Sequence, residues 1–196
     1  MLERQPSRTA LAAATHRAAH QILERGAIFA DPLALAILEA DADTVAAEAL
    51  SDPARRGMRM FIAARSNLAE AWLAQGVARR GVVQMVVLGA GLDTFAYRHP
   101  LAAALQVFEV DHPATQAWKR RRLAAAGIAA PATLTYAPAD FERDHLLDAL
   151  TAVGFDPGGR TFFAWLGVAP YLTQEAIRAT LAMIAGLPGG AEVVFD

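Results

Sequence analysis

The chain has 196 residues, of which 55% are hydrophobic, and a formal net charge of -2 at pH 7. This length suits one domain with a single core, and this charge excludes a general attraction to nucleic acids or membrane surfaces. Cysteine is absent, which excludes disulfides and cysteine nucleophiles and makes the cytoplasm the expected location.

Residues 7–79 are predicted to be helical throughout. Ser7 can cap a first helix and Gly26 is suited to end it, and a short helix is expected over 43–50. Residues 1–6 are polar and lack the apolar core of a signal peptide, and no apolar run is long enough to cross a bilayer. We therefore expect no membrane partner.

Two acid-proline pairs are typical of helix starts. Asp31-Pro32 and Asp52-Pro53 each place an acidic cap before a proline at the first helical position, where the missing N–H costs nothing. The second pair predicts a long helix that continues to about Gln75 and ends at Gly76.

After Val82 the pattern changes to alternating strands and helices. We predict strands at 84–88, 106–110, 133–136, 160–166 and 191–196, and helical segments at 94–97, 113–126, 142–153 and 173–186. Such alternation predicts a doubly wound α/β sheet. The chain is one domain in this interpretation, with a helical region over 1–80 and a cofactor-binding core over 81–196. Because Asp196 falls inside the last predicted strand, we expect the sheet to be truncated there.

The stretch 84–94 indicates function most directly. An apolar strand without alternation is followed by Gly89 and Gly91, which permit a sharp turn and a close approach of the backbone to a ligand. Residues 89–94 read Gly-Ala-Gly-Leu-Asp-Thr, so Thr94 stands where a dinucleotide fingerprint has its third glycine. A loop for a nucleotide cofactor is favoured, and an ordinary tight turn is the alternative.

Two acidic residues belong to the second predicted strand. Asp111 ends that strand about 20 residues after Gly91, where nucleotide-binding folds place an acid that accepts hydrogen bonds from ribose hydroxyls. The alternative is that Asp111 only leads the helix that begins at His112-Pro113. Glu109 lies on the same strand face but deeper, and is the weaker candidate.

Asp140 and Phe141 follow the third predicted strand. Adenine needs an acceptor for its amino group and an apolar surface to lie on, and these two side chains can supply both. Helix capping by Asp140 is the alternative. Trp165 and Tyr171 could wall the same pocket, although core packing explains either aromatic residue equally well.

Arg65 lies on the predicted long helix, among apolar neighbours. An unpaired arginine would be costly there, so it is expected to meet an anion, which could be a protein carboxylate. Arg8 raises the same question with less support.

The remaining polar clusters favour no site. His16 and His20 share a helical face without a third ligand motif, so no metal site is expected. The basic run at 119–122 is expected to be a solvated face, and we expect no nucleic-acid partner.

Four segments together resemble a known family. They are Val-Val-Leu-Gly-Ala-Gly-Leu-Asp-Thr-Phe-Ala-Tyr-Arg (86–98), Phe-Glu-Val-Asp-His-Pro-Ala-Thr (108–115), Ala-Asp-Phe (139–141) and Trp-Leu-Gly-Val-Ala-Pro-Tyr-Leu (165–172). They resemble the leucine carboxyl methyltransferase-like family of class I S-adenosylmethionine-dependent methyltransferases. The resemblance implies a Rossmann-like sheet and S-adenosylmethionine as the cofactor.

The resemblance also implies roles for individual residues. The implied cofactor-binding residues are Arg65, Gly89, Gly91, Asp111, Asp140 and Phe141. The glycines would hold the methionine part and Arg65 its carboxylate, with Arg8 as a possible helper. Asp111 would hold the ribose hydroxyls, while Asp140 and Phe141 would meet the adenine. Many relatives have a glutamate where this chain has Leu166, so a polar contact at that position is not carried over.

The implied reaction is transfer of a methyl group to an oxygen of a carboxylate or hydroxyl, on an unknown small-molecule or peptide-carboxylate acceptor. An ionised carboxylate is already a nucleophile, so no catalytic base is assigned, and positioning with desolvation can supply most of the acceleration. Two alternatives stay open. One is an NAD(P)-dependent oxidoreductase, which Asp111 suits and the missing third glycine disfavours; the other is a non-catalytic cofactor-binding fragment.

Overall fold

The computed structural model describes residues 7–196, so the polar segment 1–6 lies outside the described residues. The helices are α1 (Arg8–Leu23), α2 (Ala42–Leu50), α3 (Arg55–Arg80), α4 (Phe95–Arg98), α5 (Pro113–Ala125), α6 (Leu146–Thr151) and α7 (Gln174–Ala185). The strands are β1 (Gln84–Leu88), β2 (Gln106–Asp111), β3 (Leu134–Pro138), β4 (Thr161–Trp165) and β5 (Ala191–Phe195). Short 3-10 segments cover Ala36–Leu38, Pro100–Ala104 and Ala169–Tyr171.

The five strands form one parallel sheet in the order β3-β2-β1-β4-β5. Central β1 is buried along its whole length, which explains its unbroken apolar sequence. Met85 and Val87 face the core under α3 and α4, whereas Val86 and Leu88 face the core under α6 and α7. The predicted doubly wound α/β sheet is confirmed, and its topological switch point lies between β1 and β4.

The helices that precede β1 pack around α1. Ser7 caps α1 as predicted, since its Oγ accepts a hydrogen bond from the Ala10 N–H at 3.1 Å. Buried alanines of α1 share a small core with the 3-10 segment Ala36–Leu38, with α2 and with Leu92 of the loop after β1. Helix α1 therefore lies directly against that loop. Over residues 7–196, no helix has the length and apolar character that crossing a bilayer requires.

The predicted end of the long helix at Gly76 is wrong. Helix α3 continues through Gly76 to Arg80, and Gly81 ends it with a φ of 75°. A glycine can adopt this left-handed conformation without a Cβ penalty, and the N–H of Gly81 then donates to the Gly76 carbonyl.

The prediction of a helix start at Asp31-Pro32 is also wrong. The chain forms turns there, followed only by the 3-10 segment Ala36–Leu38. The Asp31 carboxylate caps no α-helix because it is buried and bonded to Arg17 and Thr94.

The predicted helix over 142–153 is shorter than expected and covers Leu146–Thr151. Local hydrogen bonds explain the late start: the Asp140 N–H donates to Asp144 Oδ2, and the Glu142 N–H donates to Asp140 Oδ1. These bonds hold residues 140–144 in a turn.

Candidate functional site

A cavity of about 950 Å³ lies above the carboxyl ends of β1, β2, β3 and β4. Parallel α/β sheets bind ligands at this edge. The structure brings all six predicted cofactor residues to its wall: Arg65, Gly89, Gly91, Asp111, Asp140 and Phe141. The first turn of α1 also lines it, through residues that include Arg8.

The loop after β1 turns on its two glycines. Gly89 has a φ of 65° and Gly91 a φ of 48°, both in the left-handed region. There is no room for side chains either: a Cβ on Gly89 would lie 2.3 Å from Val168 Cγ2, and one on Gly91 would lie 2.8 Å from Ala10 Cβ. The loop therefore requires glycine for its conformation and for its packing.

Asp111 joins this loop to the end of β2. Its Oδ2 accepts a hydrogen bond from the Gly91 N–H at 2.5 Å, and its Oδ1 accepts one from the His112 N–H at 2.7 Å. Burial raises the pKa of Asp111, while these two N–H groups act in the opposite direction. Asp111 is not the cap of α5, because His112 is the N-cap and its Nδ1 accepts from the Ala114 N–H.

Asp140 and Phe141 lie at the end of β3, on the same side of the cavity. The Asp140 side chain is 33% exposed and holds the turn described above, whereas the residue at the N-cap of α6 is His145. Phe141 is half-buried and packs against the core under α6 and α7. An acceptor and an aromatic surface thus stand together, as the sequence predicts.

Arg65 meets a carboxylate of the protein itself. Its Nη1 donates to Asp196 Oδ2 at 2.6 Å, and Asp196 Oδ1 accepts from the Gly167 N–H. The guanidinium lies against Gly167, where an added Cβ would be 2.8 Å from Nη1. Arg65 therefore lines the cavity with at least one donor already bonded.

Sequence reasoning missed a buried polar cluster beneath the loop. Thr94 Oγ1 donates to Asp31 Oδ2 at 2.8 Å, and Arg17 Nε donates to the same oxygen at 3.1 Å. Arg98 Nε donates to Thr94 Oγ1 at 3.0 Å, and the Arg98 guanidinium also pairs with Glu70. Threonine in place of the third glycine was the only signal available for this cluster.

Of the two aromatic residues predicted to wall the pocket, one lines the cavity and the other does not. Tyr171 lines the cavity and is 64% exposed. Trp165 is fully buried in the core and does not reach the cavity. Trp165 ends a strand that is covered on both faces, and its ring packs in the core between the sheet and helices α6 and α7.

Two clusters that favoured no site are explained by hydrogen bonding and ion pairing. His20 is fully buried; its Nδ1 lies 3.3 Å from Glu24 Oε2, and its Nε2 accepts from the Ile28 N–H at 3.2 Å. The prediction that 119–122 is a solvated face is wrong at Lys119, which is 1% exposed and pairs with Glu109. Across residues 7–196 no group of three or more His, Asp or Glu side chains is arranged to hold a metal.

The strand order, the glycine loop after β1 and the cavity above the strand ends define a Rossmann-like α/β fold. The sequence model described as leucine carboxyl methyltransferase matches residues 10–185. The chain belongs to this family, which confirms the resemblance drawn from its motifs.

Relatives carry a consistent name. A Bacillus subtilis (strain 168) protein named "Putative S-adenosyl-L-methionine-dependent methyltransferase YktD" is 45% identical over 118 residues, which cover 59% of this chain and 38% of the relative. A Mycolicibacterium smegmatis protein with the same name, without the final designation, is 35% identical over 181 residues, which cover 86% of this chain and 56% of the relative. The chain thus matches only 38% and 56% of the lengths of these relatives.

Two solved structures show weaker likeness. The glycopeptide N-methyltransferase MtfA has 21% identity and a TM-score of 0.40, with 62% of this chain and 50% of that chain covered. An O-methyltransferase family protein from Burkholderia thailandensis has 20% identity and a TM-score of 0.38, with 64% of this chain and 38% of that chain covered. The fold assignment rests on the strand order of this chain and not on these likenesses.

Proposed function

We propose that this chain is an S-adenosylmethionine-dependent methyltransferase that binds its cofactor in the cavity above the strand ends. The observation that carries the proposal is the direct bond between the glycine loop and the acid of β2, from the Gly91 N–H to Asp111 Oδ2. This bond makes one continuous surface from two strand ends at the wall of the large cavity. Membership of the leucine carboxyl methyltransferase family supports the same cofactor.

The residues present fit this cofactor. A volume of about 950 Å³ is at the upper end of the range typical of small-molecule sites, so it leaves room for an acceptor beside the cofactor. Each Asp111 oxygen accepts one backbone N–H, and a carboxylate oxygen has a second lone pair with which to accept a ribose hydroxyl. The bare glycine backbone at Gly89 and Gly91 permits close contact with the amino-acid end.

The other predicted residues have matching roles in this proposal. Asp140 would accept from the adenine amino group, and the Phe141 ring would lie beside the base. Arg65 would bind the cofactor carboxylate with a donor that Asp196 leaves free, since a guanidinium has several N–H groups. Arg8, exposed at the start of α1, could add a second cation.

When bound, S-adenosylmethionine supplies a methyl group activated by its sulfonium sulfur. Val87, Ala164 and Leu166 give the cavity an apolar wall, against which an acceptor would be held in one orientation and partly shielded from water. We propose an oxygen acceptor, a carboxylate or a hydroxyl, on a small molecule or a peptide. A carboxylate acceptor is ionised at neutral pH and is methylated without loss of a proton, so it needs no base. A hydroxyl acceptor would also have to give up its proton, to solvent or to a base, and none of these residues is assigned that role. The cytoplasm remains the proposed location.

The structure disfavours the nicotinamide alternative for two reasons. The side chain at the third-glycine position is engaged, because the Thr94 hydroxyl is bonded to Asp31 and Arg98. The helix that follows, α4, has only four residues, which is too short to direct a helix dipole at a pyrophosphate.

Calorimetric titration with S-adenosylhomocysteine, NAD and 5′-methylthioadenosine tests the proposal. We expect S-adenosylhomocysteine and 5′-methylthioadenosine to bind. Tight binding of NAD alone would contradict the proposal. Arg65→Gln should weaken S-adenosylhomocysteine but not 5′-methylthioadenosine, which lacks the amino-acid end. Arg56→Gln, which removes an exposed arginine from the same helix outside the cavity, is the matched control.

Methyl transfer from labelled cofactor separates a complete enzyme from a cofactor-binding part. Transfer by the 196-residue chain would rule out the non-catalytic alternative. Binding without transfer, with transfer recovered in a chain of the full length of the relatives, would identify this chain as the cofactor-binding part.

A further inference from the structure

We infer that Asp31 is a positioning residue for the cofactor loop, acting through Thr94 and Arg17. The role of the loop rests on the proposed function, whereas the contacts that hold it do not. The sequence places Asp31 in a connection between helices, 63 residues before Thr94. The fold brings its carboxylate beneath residues 92–94, the second half of the loop after β1.

The Asp31 carboxylate is a buried junction. The residue is 1% exposed, and its Oδ2 accepts from Thr94 Oγ1 at 2.8 Å and from Arg17 Nε at 3.1 Å. Its Oδ1 accepts from the Leu33 N–H at 3.2 Å and lies 3.5 Å from Arg98 Nε. Both oxygens are therefore satisfied by groups from separate segments of the chain.

The same cluster also holds the loop backbone. Arg17 Nη2 donates to the Leu92 carbonyl at 2.5 Å, while Arg17 Nε remains on Asp31. The Thr94 hydroxyl donates to Asp31 and accepts from Arg98 Nε at 3.0 Å. Backbone and side chain of the loop are thus tied to one carboxylate.

The two halves of the loop have different anchors. The glycine half is bound to the sheet, through the Ala90 N–H to the Val110 carbonyl at 3.0 Å and through the Gly91 N–H to Asp111. The Leu92 and Thr94 half is bound to the helical region through the cluster around Asp31. A loop fixed at both halves loses little conformational entropy when a ligand binds, which favours affinity.

Burial makes this arrangement sensitive to small changes. A buried carboxylate is costly unless it is paired and fully hydrogen-bonded. Because Asp31 is buried, water cannot take the place of a partner that a substitution removes. Thr94 is also fully buried, so its hydroxyl has no access to water. Threonine at the third-glycine position is therefore explained by the hydroxyl that Asp31 requires.

Three variants test the inference. Thr94→Val keeps the shape and removes the hydroxyl, Thr94→Ser keeps the hydroxyl, and Asp31→Asn removes the charge. We expect Thr94→Val and Asp31→Asn to weaken S-adenosylhomocysteine binding roughly tenfold or more, and Thr94→Ser to stay within about threefold of the wild type. In ligand-free protein, amide exchange over residues 89–94 should accelerate in the first and third variants.

Thr161→Val is the matched control. Thr161 is also 0% exposed and its hydroxyl is hydrogen-bonded, but it lies at the amino end of β4, at the opposite edge of the sheet. It should lower the melting temperature without changing ligand affinity or exchange of the loop amides.

Wild-type affinity in folded Thr94→Val, or an equal loss of affinity in Thr161→Val, would overturn the inference. If the wild-type chain binds no S-adenosylhomocysteine, the proposed function fails. Amide exchange of the loop still decides whether Asp31 positions it: faster exchange in Thr94→Val supports the role, and unchanged exchange contradicts it.

Discussion

The Lys119 ammonium lies 2.7 Å from Glu109 Oε2, and both side chains are 1% exposed. This pair connects α5 to the middle of β2. Within the described part of the chain, Glu109 Oε1 has no hydrogen-bond partner, so the Lys119 charge carries most of the compensation for this buried carboxylate. Glu109 is therefore better explained as a structural ion-pair partner than as a ligand contact.

Lys119→Met should destabilise the fold by about 3 kcal/mol or more at pH 8, because Glu109 would lose the Lys119 charge and would have to be buried either ionised without that partner or protonated well above the ordinary pKa of a carboxyl. The loss should be smaller at pH 5, where Glu109 can be neutral. Urea unfolding at both pH values measures the difference. The double variant Glu109→Gln with Lys119→Met should recover much of the loss. A double variant no more stable than Lys119→Met would contradict this explanation.

The Glu109 carboxyl also predicts a pH dependence of stability. Burial raises its pKa from 4.5 to about 7 in the folded protein, although Lys119 opposes the shift. The folded state then holds this proton more tightly than the unfolded state, so the contribution is complete below pH 4.5 and is lost as pH rises to about 7. Glu109→Gln should flatten the free energy of unfolding over this range. A slope equal to that of the wild type would show that other groups cause it.

Substitution of a loop glycine should lower the stability of the fold by more than backbone strain alone would. Gly127→Ala is the reference, since Gly127 has a φ of 68° with nothing within 4 Å of an added Cβ, and should cost about 1 kcal/mol. Gly89→Ala adds a clash with Val168, so both stability and S-adenosylhomocysteine affinity should fall further. Thermal unfolding and calorimetry compare the two variants. Equal effects would mean that Val168 moves away freely.

Asp111→Ala should weaken cofactor binding by roughly 1 to 3 kcal/mol, because the ribose hydroxyls would lose a buried acceptor. Asp43→Ala, an exposed position on α2, serves as the control and should leave affinity unchanged. Calorimetric titration with S-adenosylhomocysteine makes the comparison. Unchanged affinity in folded Asp111→Ala would remove Asp111 from the proposed site.

Local sequence signals determined the sheet and the edge at which the site lies. The unbroken apolar run of β1 indicates a strand buried on both faces, and the glycines after it need a left-handed backbone that few other residues adopt. Because parallel strands share one carboxyl edge, the loop after β1, Asp111 and Asp140 had to meet there once the strands were predicted. The role of this edge in cofactor binding remains a prediction.

Tertiary structure alone decided which partner each charged side chain has. Asp31-Pro32 matches a local helix-start signal, yet Asp31 is bonded to Thr94, and Arg65 is bonded to Asp196, 131 residues away. A cap or a turn depends on neighbouring residues, whereas a buried charge is paired with whichever opposite charge the packing brings within reach. The glycine loop was thus evident from the sequence, and the carboxylate beneath it was not.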